Sequence, residues 1–115
     1  MRIVLLPAPE GNVIGREEQF GRDEGEFIAA PDGRVLYRHP WDSRLWFAGP
    51  TVAAFHEAVA AWNRYGDQVQ ACDTDEGEQA VVRQLGEAFS RSGVLDAREN
   101  NLWLLLLEQA QDGLL

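Results

Sequence analysis

The sequence predicts an α+β fold: a small antiparallel sheet from the N-terminal half, covered by three C-terminal helices. Short runs of β-branched, aliphatic and aromatic residues, punctuated by Pro and Gly, occupy the chain before residue 50. After Thr51 the apolar residues recur instead at the spacing of a helix face. The two patterns follow one another and do not alternate, which argues against a parallel βαβ sheet. At 115 residues the chain is expected to form a single domain, 1–115, around one modest core.

Arg2 to Leu6 reads as the first strand, stopped by Pro7 and Pro9. Glu10 to Glu26 carries four glycines and many charges and reads as an irregular loop, with room for a short strand at Asn12–Ile14. Phe27-Ile28-Ala29 is the next strand, and the turn signal across Pro31–Gly33 joins it in a hairpin to Arg34–Arg38. His39-Pro40 interrupts the pattern before the strand Leu45–Ala48. Gly49-Pro50 then turns the chain, and Thr51 is placed to cap a helix. In that helix Val52, Phe55, Val59 and Trp62 share a face with Ala54, Ala58 and Ala61 beside them, and Gly66 is its expected end. A polar loop is expected from Asp67 to Glu76. The second helix runs from about Glu78 to Arg91 on a stripe of Val81, Leu85, Ala88 and Phe89, ended by Gly93. The third runs from about Asn100 to Gln111, with Trp103, Leu106, Leu107 and Ala110 on one face. Leu102, Leu104 and Leu105 widen that face, and Gly113 suits the helix end.

A formal net charge of −9 argues against DNA or RNA as a partner, because phosphate binding needs a basic surface. It favours encounter with a basic protein. The longest apolar run, Leu102–Leu107, is far short of the roughly 20 residues that cross a bilayer. Arg2–Pro7 is too short for a secretory leader, and Cys72 is the only cysteine. These features predict a cytoplasmic protein.

Sites for chemistry are scarce. His56-Glu57 resembles the start of a zinc-protease motif, but position 60 is Ala where the second His belongs. The Gly49-Pro50-Thr51 corner lacks the Gly-rich spacing of a phosphate loop, and the chain has no lysine. Ser43, Ser90 and Ser92 have no nucleophile-elbow context, and the acids after Cys72 oppose a thiolate there. A calcium loop starting at Asp73 would need Gly at 78 and Glu at 84, where the chain has Glu and Gln. No catalytic, cofactor-binding or metal site is expected.

The residues better suited to a partner are aromatic and acidic. Trp62 and Trp103 fall on helical stripes and belong to the core. Trp41 and Trp46 flank Asp42-Ser43-Arg44, and exposed tryptophans anchor interfaces; core packing is the first reading for Trp46, and core and interface are equally open for Trp41. Asp73, Asp75, Glu76 and Glu78 form the densest acidic run, with Asp23, Glu24 and Glu26 as a second group.

The run Gly33–Tyr37, then Leu45-Trp-Phe-Ala-Gly-Pro-Thr-Val-Ala-Ala-Phe55, then Trp62, resembles the central strands and first helix of the SUKH superfamily. In its fourth immunity group an aromatic-aliphatic strand enters a Ser- or Thr-capped helix with Phe four positions after the cap, the places held here by Thr51 and Phe55. Leu95-Asp96, Trp103 and Asp112–Leu115 are similar to the group's closing turn and helix. The likeness spans about residues 33–115 and departs at Ala48-Gly49-Pro50, where the group has Asn-Ser. It implies an α+β fold and a non-enzymatic immunity protein that binds and neutralises a cognate bacterial toxin, often one that attacks nucleic acid. A small carboxylate-dependent enzyme using Glu76 or Glu78 is the alternative. So is an adaptor that self-associates through its leucine-rich last helix.

Overall fold

A computed structural model describes residues 1–19, 22–40, 42, 44–97 and 99–113, with backbone alone at 7–10, 19 and 22–24. Five strands, β1 (Arg2–Glu10), β2 (Val13–Gln19), β3 (Arg22–Ala29), β4 (Val35–Arg38) and β5 (Leu45–Gly49), form an antiparallel meander in chain order. Three helices follow, α1 (Val52–Gln70), α2 (Asp75–Ser92) and α3 (Leu102–Gln111). The α+β arrangement of N-terminal sheet and C-terminal helices is the one the patterning predicts.

The glycine-rich segment is not a loop. Residues 13–19 and 22–29 are two paired strands at the centre of the sheet's first half. The glycines make room. A Cβ on Gly25 would lie 2.5 Å from the Tyr37 ring, and one on Gly15 would lie 3.6 Å from Phe55. Tyr37 therefore lies across β3, and its hydroxyl donates to the buried Glu17 carboxylate on β2. The real turn glycine is Gly11, with φ +62° between β1 and β2. β1 also continues through Pro7 and Pro9, which an edge strand tolerates because it needs no donor on its open side.

The expected hairpin forms. Gly33 (φ +94°) sits in the turn between β3 and β4, where Asp32 accepts from the Arg34 backbone at 3.1 Å. Both sheet edges are guarded against further pairing. On β1, the Asn63 side chain of α1 accepts from Ile3 N–H (3.1 Å) and donates to Ile3 C=O (2.9 Å), occupying that residue as a neighbouring strand would. On β5, Phe47 N–H donates to Asn100 C=O at 2.6 Å.

At the corner after β5, Thr51 accepts from Ala54 N–H at 3.1 Å and starts α1. Phe55 is fully buried, its ring 4.8 Å from Phe27 and 6.4 Å from Trp103. Trp103 donates its indole N–H to Ala48 C=O at 2.7 Å and meets Phe89 at 5.1 Å. A line of rings thus runs from β4 through β3, α1 and α3 to α2 (Tyr37, Phe27, Phe55, Trp103, Phe89), tying both halves into one core.

Helix boundaries differ from expectation at three places. α1 passes through Gly66 to Gln70, since the buried stripe continues at Tyr65 and Val69 stays packed on the core. α2 starts earlier, at Asp75, because Thr74 is its N-cap, accepting from Gly77 N–H at 3.0 Å. Asp75 and Glu76, expected in a loop, thereby join Glu78 in the first helical turn, where the helix dipole favours them, while Asp73 stays ahead of the cap. α3 begins at Leu102 behind the Asn101 cap, and Gly93 (φ +82°) ends α2 as expected. In α3, Leu102, Trp103, Leu106 and Ala110 are buried, and Leu107 lies 3.7 Å from where a Cβ on Gly86 of α2 would sit. Leu104 and Leu105 are half-buried.

Candidate partner-binding groove

The helices' own geometry opens a groove. α1 lies across the sheet, beginning beside β5 and passing β1, and α2 turns back along it. α3 packs against α2 and ends beside the far half of α1. The second half of α1, the first half of α2 and the end of α3 enclose about 760 Å³. Its floor is apolar: Tyr65 and Ala110 are buried, Val69 and Val82 half-buried. Its rim is polar and exposed: Asp75, Glu78 and Asp112 supply three carboxylates, against the single guanidinium of Arg83. Burial pushes the Tyr65 phenol above its ordinary value, and the nearby Glu78 carboxylate pushes it further. A trough with an apolar base and a negative rim suits a basic side chain whose stem or ring can lie on Tyr65.

The acidic run divides over this site. Asp75 and Glu78 line the groove; Asp73 and Glu76 are exposed at the same helix end but do not line it. Trp46 lies elsewhere. It sits half-buried on β5, packed partly on the core, with the Arg44 guanidinium 5.7 Å from its ring centre. The acids stand beyond the other end of α1, whose 19 residues span about 28 Å. Trp46 and the acidic run therefore do not form one surface. Trp41 lies outside the described residues, as do the side chains of Asp23 and Glu24. Glu26 is engaged by Arg38 at 3.0 Å.

Tyr65, Val69, Val82 and Arg83 are groove residues that sequence reasoning did not single out, and Ala110 and Asp112 enter it only as part of the third helix's apolar face and the chain's SUKH-like ending. Tyr65 and Val69 continue the spacing of Phe55, Val59 and Trp62, a signal masked by ending the helix at Gly66. Nothing local marks α3 as the third wall.

Among the described residues, no three or more His, Cys, Asp or Glu side chains are grouped to hold a metal ion. His56 is exposed beside Phe55, their rings 5.9 Å apart. Cys72 Sγ lies 3.3 Å from Gln68 C=O at the end of α1. No helix of the described residues is long and apolar enough to cross a membrane. Comparisons with protein-family models, curated proteins and solved structures return no match for this chain.

Proposed function

We propose that this chain is an immunity protein, acting in the cytoplasm, that neutralises a bacterial toxin by seating a basic segment of that toxin in the acidic groove. The observation that carries the reading is the groove itself, an apolar floor with three carboxylates and one arginine at its rim. The charge distribution supports it. From residue 52 onward eleven acids face four arginines, a balance of −7, while residues 1–51 hold eight acids and six arginines, a balance of −2. The helical half thus carries most of the field that would steer a basic partner. The SUKH-like run from Gly33 to Phe55 and Trp62 supports the immunity class in particular.

In this reading the rim carboxylates draw in an arginine- or lysine-bearing segment, and the floor of Tyr65, Val69, Val82 and Ala110 excludes water around it. Inhibition follows by occlusion, since the bound segment belongs to the toxin's basic substrate path. The test pairs this protein with the toxin encoded beside its gene. Asp75→Asn with Glu78→Gln should slow association at low salt and leave its rate less sensitive to added salt than in wild type, because screening acts over about 8 Å at physiological ionic strength. Val82→Glu should weaken the complex at every salt concentration by placing a charge on the apolar floor. Full protection of cells and unchanged association by both groove variants would remove the groove from the interface.

A further inference from the structure

The sheet has a second face, turned away from the helices. Residues directly opposite one another in the register share a face, so Val13, Ile28, Leu36 and Phe47 form one row across β2 to β5. All four are half-buried, and none belongs to the core or packs on it. The intervening residues, among them Phe27 and Tyr37, are the ones that face the helices. Two positions along β3, β4 and β5, and three along β2 because of the bulge after Val13, lies a second row: Arg16, Glu26, Arg38 and Leu45. Val4 stands opposite Arg16 on β1. Val4 and Leu45 are 38% and 46% exposed, among the most open large apolar residues described.

This face differs from the rest of the molecule in charge. Among its described side chains Arg16 and Arg38 balance Glu18 and Glu26, with Arg38 bonded to Glu26, while Arg2 reaches around the edge to Asp67 at 3.6 Å. In a chain of net charge −9, a neutral apolar face is where a second copy can approach with least repulsion.

We infer that this outer sheet face is an interface between two copies of the chain. A two-fold axis lying along the row Val13–Ile28–Leu36–Phe47 sets that row against itself and carries the two charged rows to opposite rims. The sheets then stack about 10 Å apart, as in a β-sandwich. Five strands at about 4.8 Å spacing and about five residues of shared length offer a footprint near 400 Å² per copy, below the roughly 800 Å² of a standard interface. The dimer is therefore weak and reversible. Because the helices lie on the other face, both grooves stay open in it.

Sedimentation equilibrium of the whole chain across a wide range of concentrations reads the association directly. Wild type should pass from monomer to dimer, and added salt should not weaken the dimer. Leu36→Arg, checked for folding by circular dichroism, should raise the dissociation constant by at least about tenfold. A second arm stands even where that variant unfolds. Leu36→Cys in a Cys72→Ser background should be joined to its copy by a short bis-maleimide, while wild type, whose only thiol is Cys72 on the helical side, should not. Monomer at every concentration, a dimer indifferent to Leu36→Arg in a folded variant, or equal cross-linking through Cys72 would each overturn the interface.

Discussion

The sheet half and the helical half contribute to one core by opposite means. In the sheet, space is made by omission: Gly25 and Gly15 carry no side chain, so Tyr37 lies across one strand and Phe55 presses on another. In the helices, space is filled by repetition, with Ala54, Ala58 and Ala61 letting α1 lie close while Phe55, Val59, Trp62 and Tyr65 supply bulk. The same residue type therefore has different value on the two sides. A glycine in the sheet is an element of packing, whereas Gly66 in α1 has nothing within 4 Å of where a Cβ would sit.

That contrast can be broken most severely where the halves meet. Phe55→Ala removes the ring between Phe27 and Trp103 and should cost about 3–5 kcal/mol in urea unfolding, through lost transfer energy and a residual cavity. A loss below about 1 kcal/mol would mean that the two halves do not share a core.

Gly25→Ala comes next. Tyr37 is only 4% exposed and is held at its hydroxyl by Glu17, so its ring has little freedom to yield to a new Cβ. The substitution should destabilise by about 1–3 kcal/mol, and Tyr37→Leu in the same chain should recover part of that loss. Additive losses in the double variant would show that Tyr37 is not what the glycine accommodates.

Gly66→Ala should act in the opposite direction. It replaces a poor helix former in open space and should stabilise by about 0.5–1 kcal/mol, measurable as a raised urea midpoint at unchanged slope. Destabilisation there would show that the end of α1 needs the freedom of glycine.

The smallest effect is a pH dependence. The Tyr65 phenol holds its proton more tightly in the folded chain than in the unfolded one, because of burial and the Glu78 charge. Its contribution is intact below the ordinary tyrosine value of 10.0 and is lost as pH rises through the higher folded value. Stability should therefore decline more steeply as pH rises from 10.0 toward the folded value in wild type than in Tyr65→Phe, and Glu78→Gln should reduce the slope in part. Parallel profiles in wild type and Tyr65→Phe would place the phenol in ordinary solvent.

The sequence by itself determined the order of sheet then helices, the hairpin across Pro31–Gly33, the Thr51 cap, the Gly93 stop and the helical stripes, except that Val52, expected on the buried face of α1, is exposed. These are short-range features: a cap, a turn glycine and a helical period act within a few residues, so composition and spacing reveal them. The tertiary structure alone decided that residues 15–19 and 22–26 of the glycine-rich stretch extend the expected strands at Asn12–Ile14 and Phe27–Ala29 into β2 and β3, because Gly15 and Gly25 are explained by Phe55 and Tyr37 standing over them from other elements. It also decided which acids matter together. Asp75 and Glu78 meet Asp112 only because α3 ends beside α1 and α2, a juxtaposition produced by the burial of Trp103, Leu106 and Ala110 rather than by any pattern among the acids.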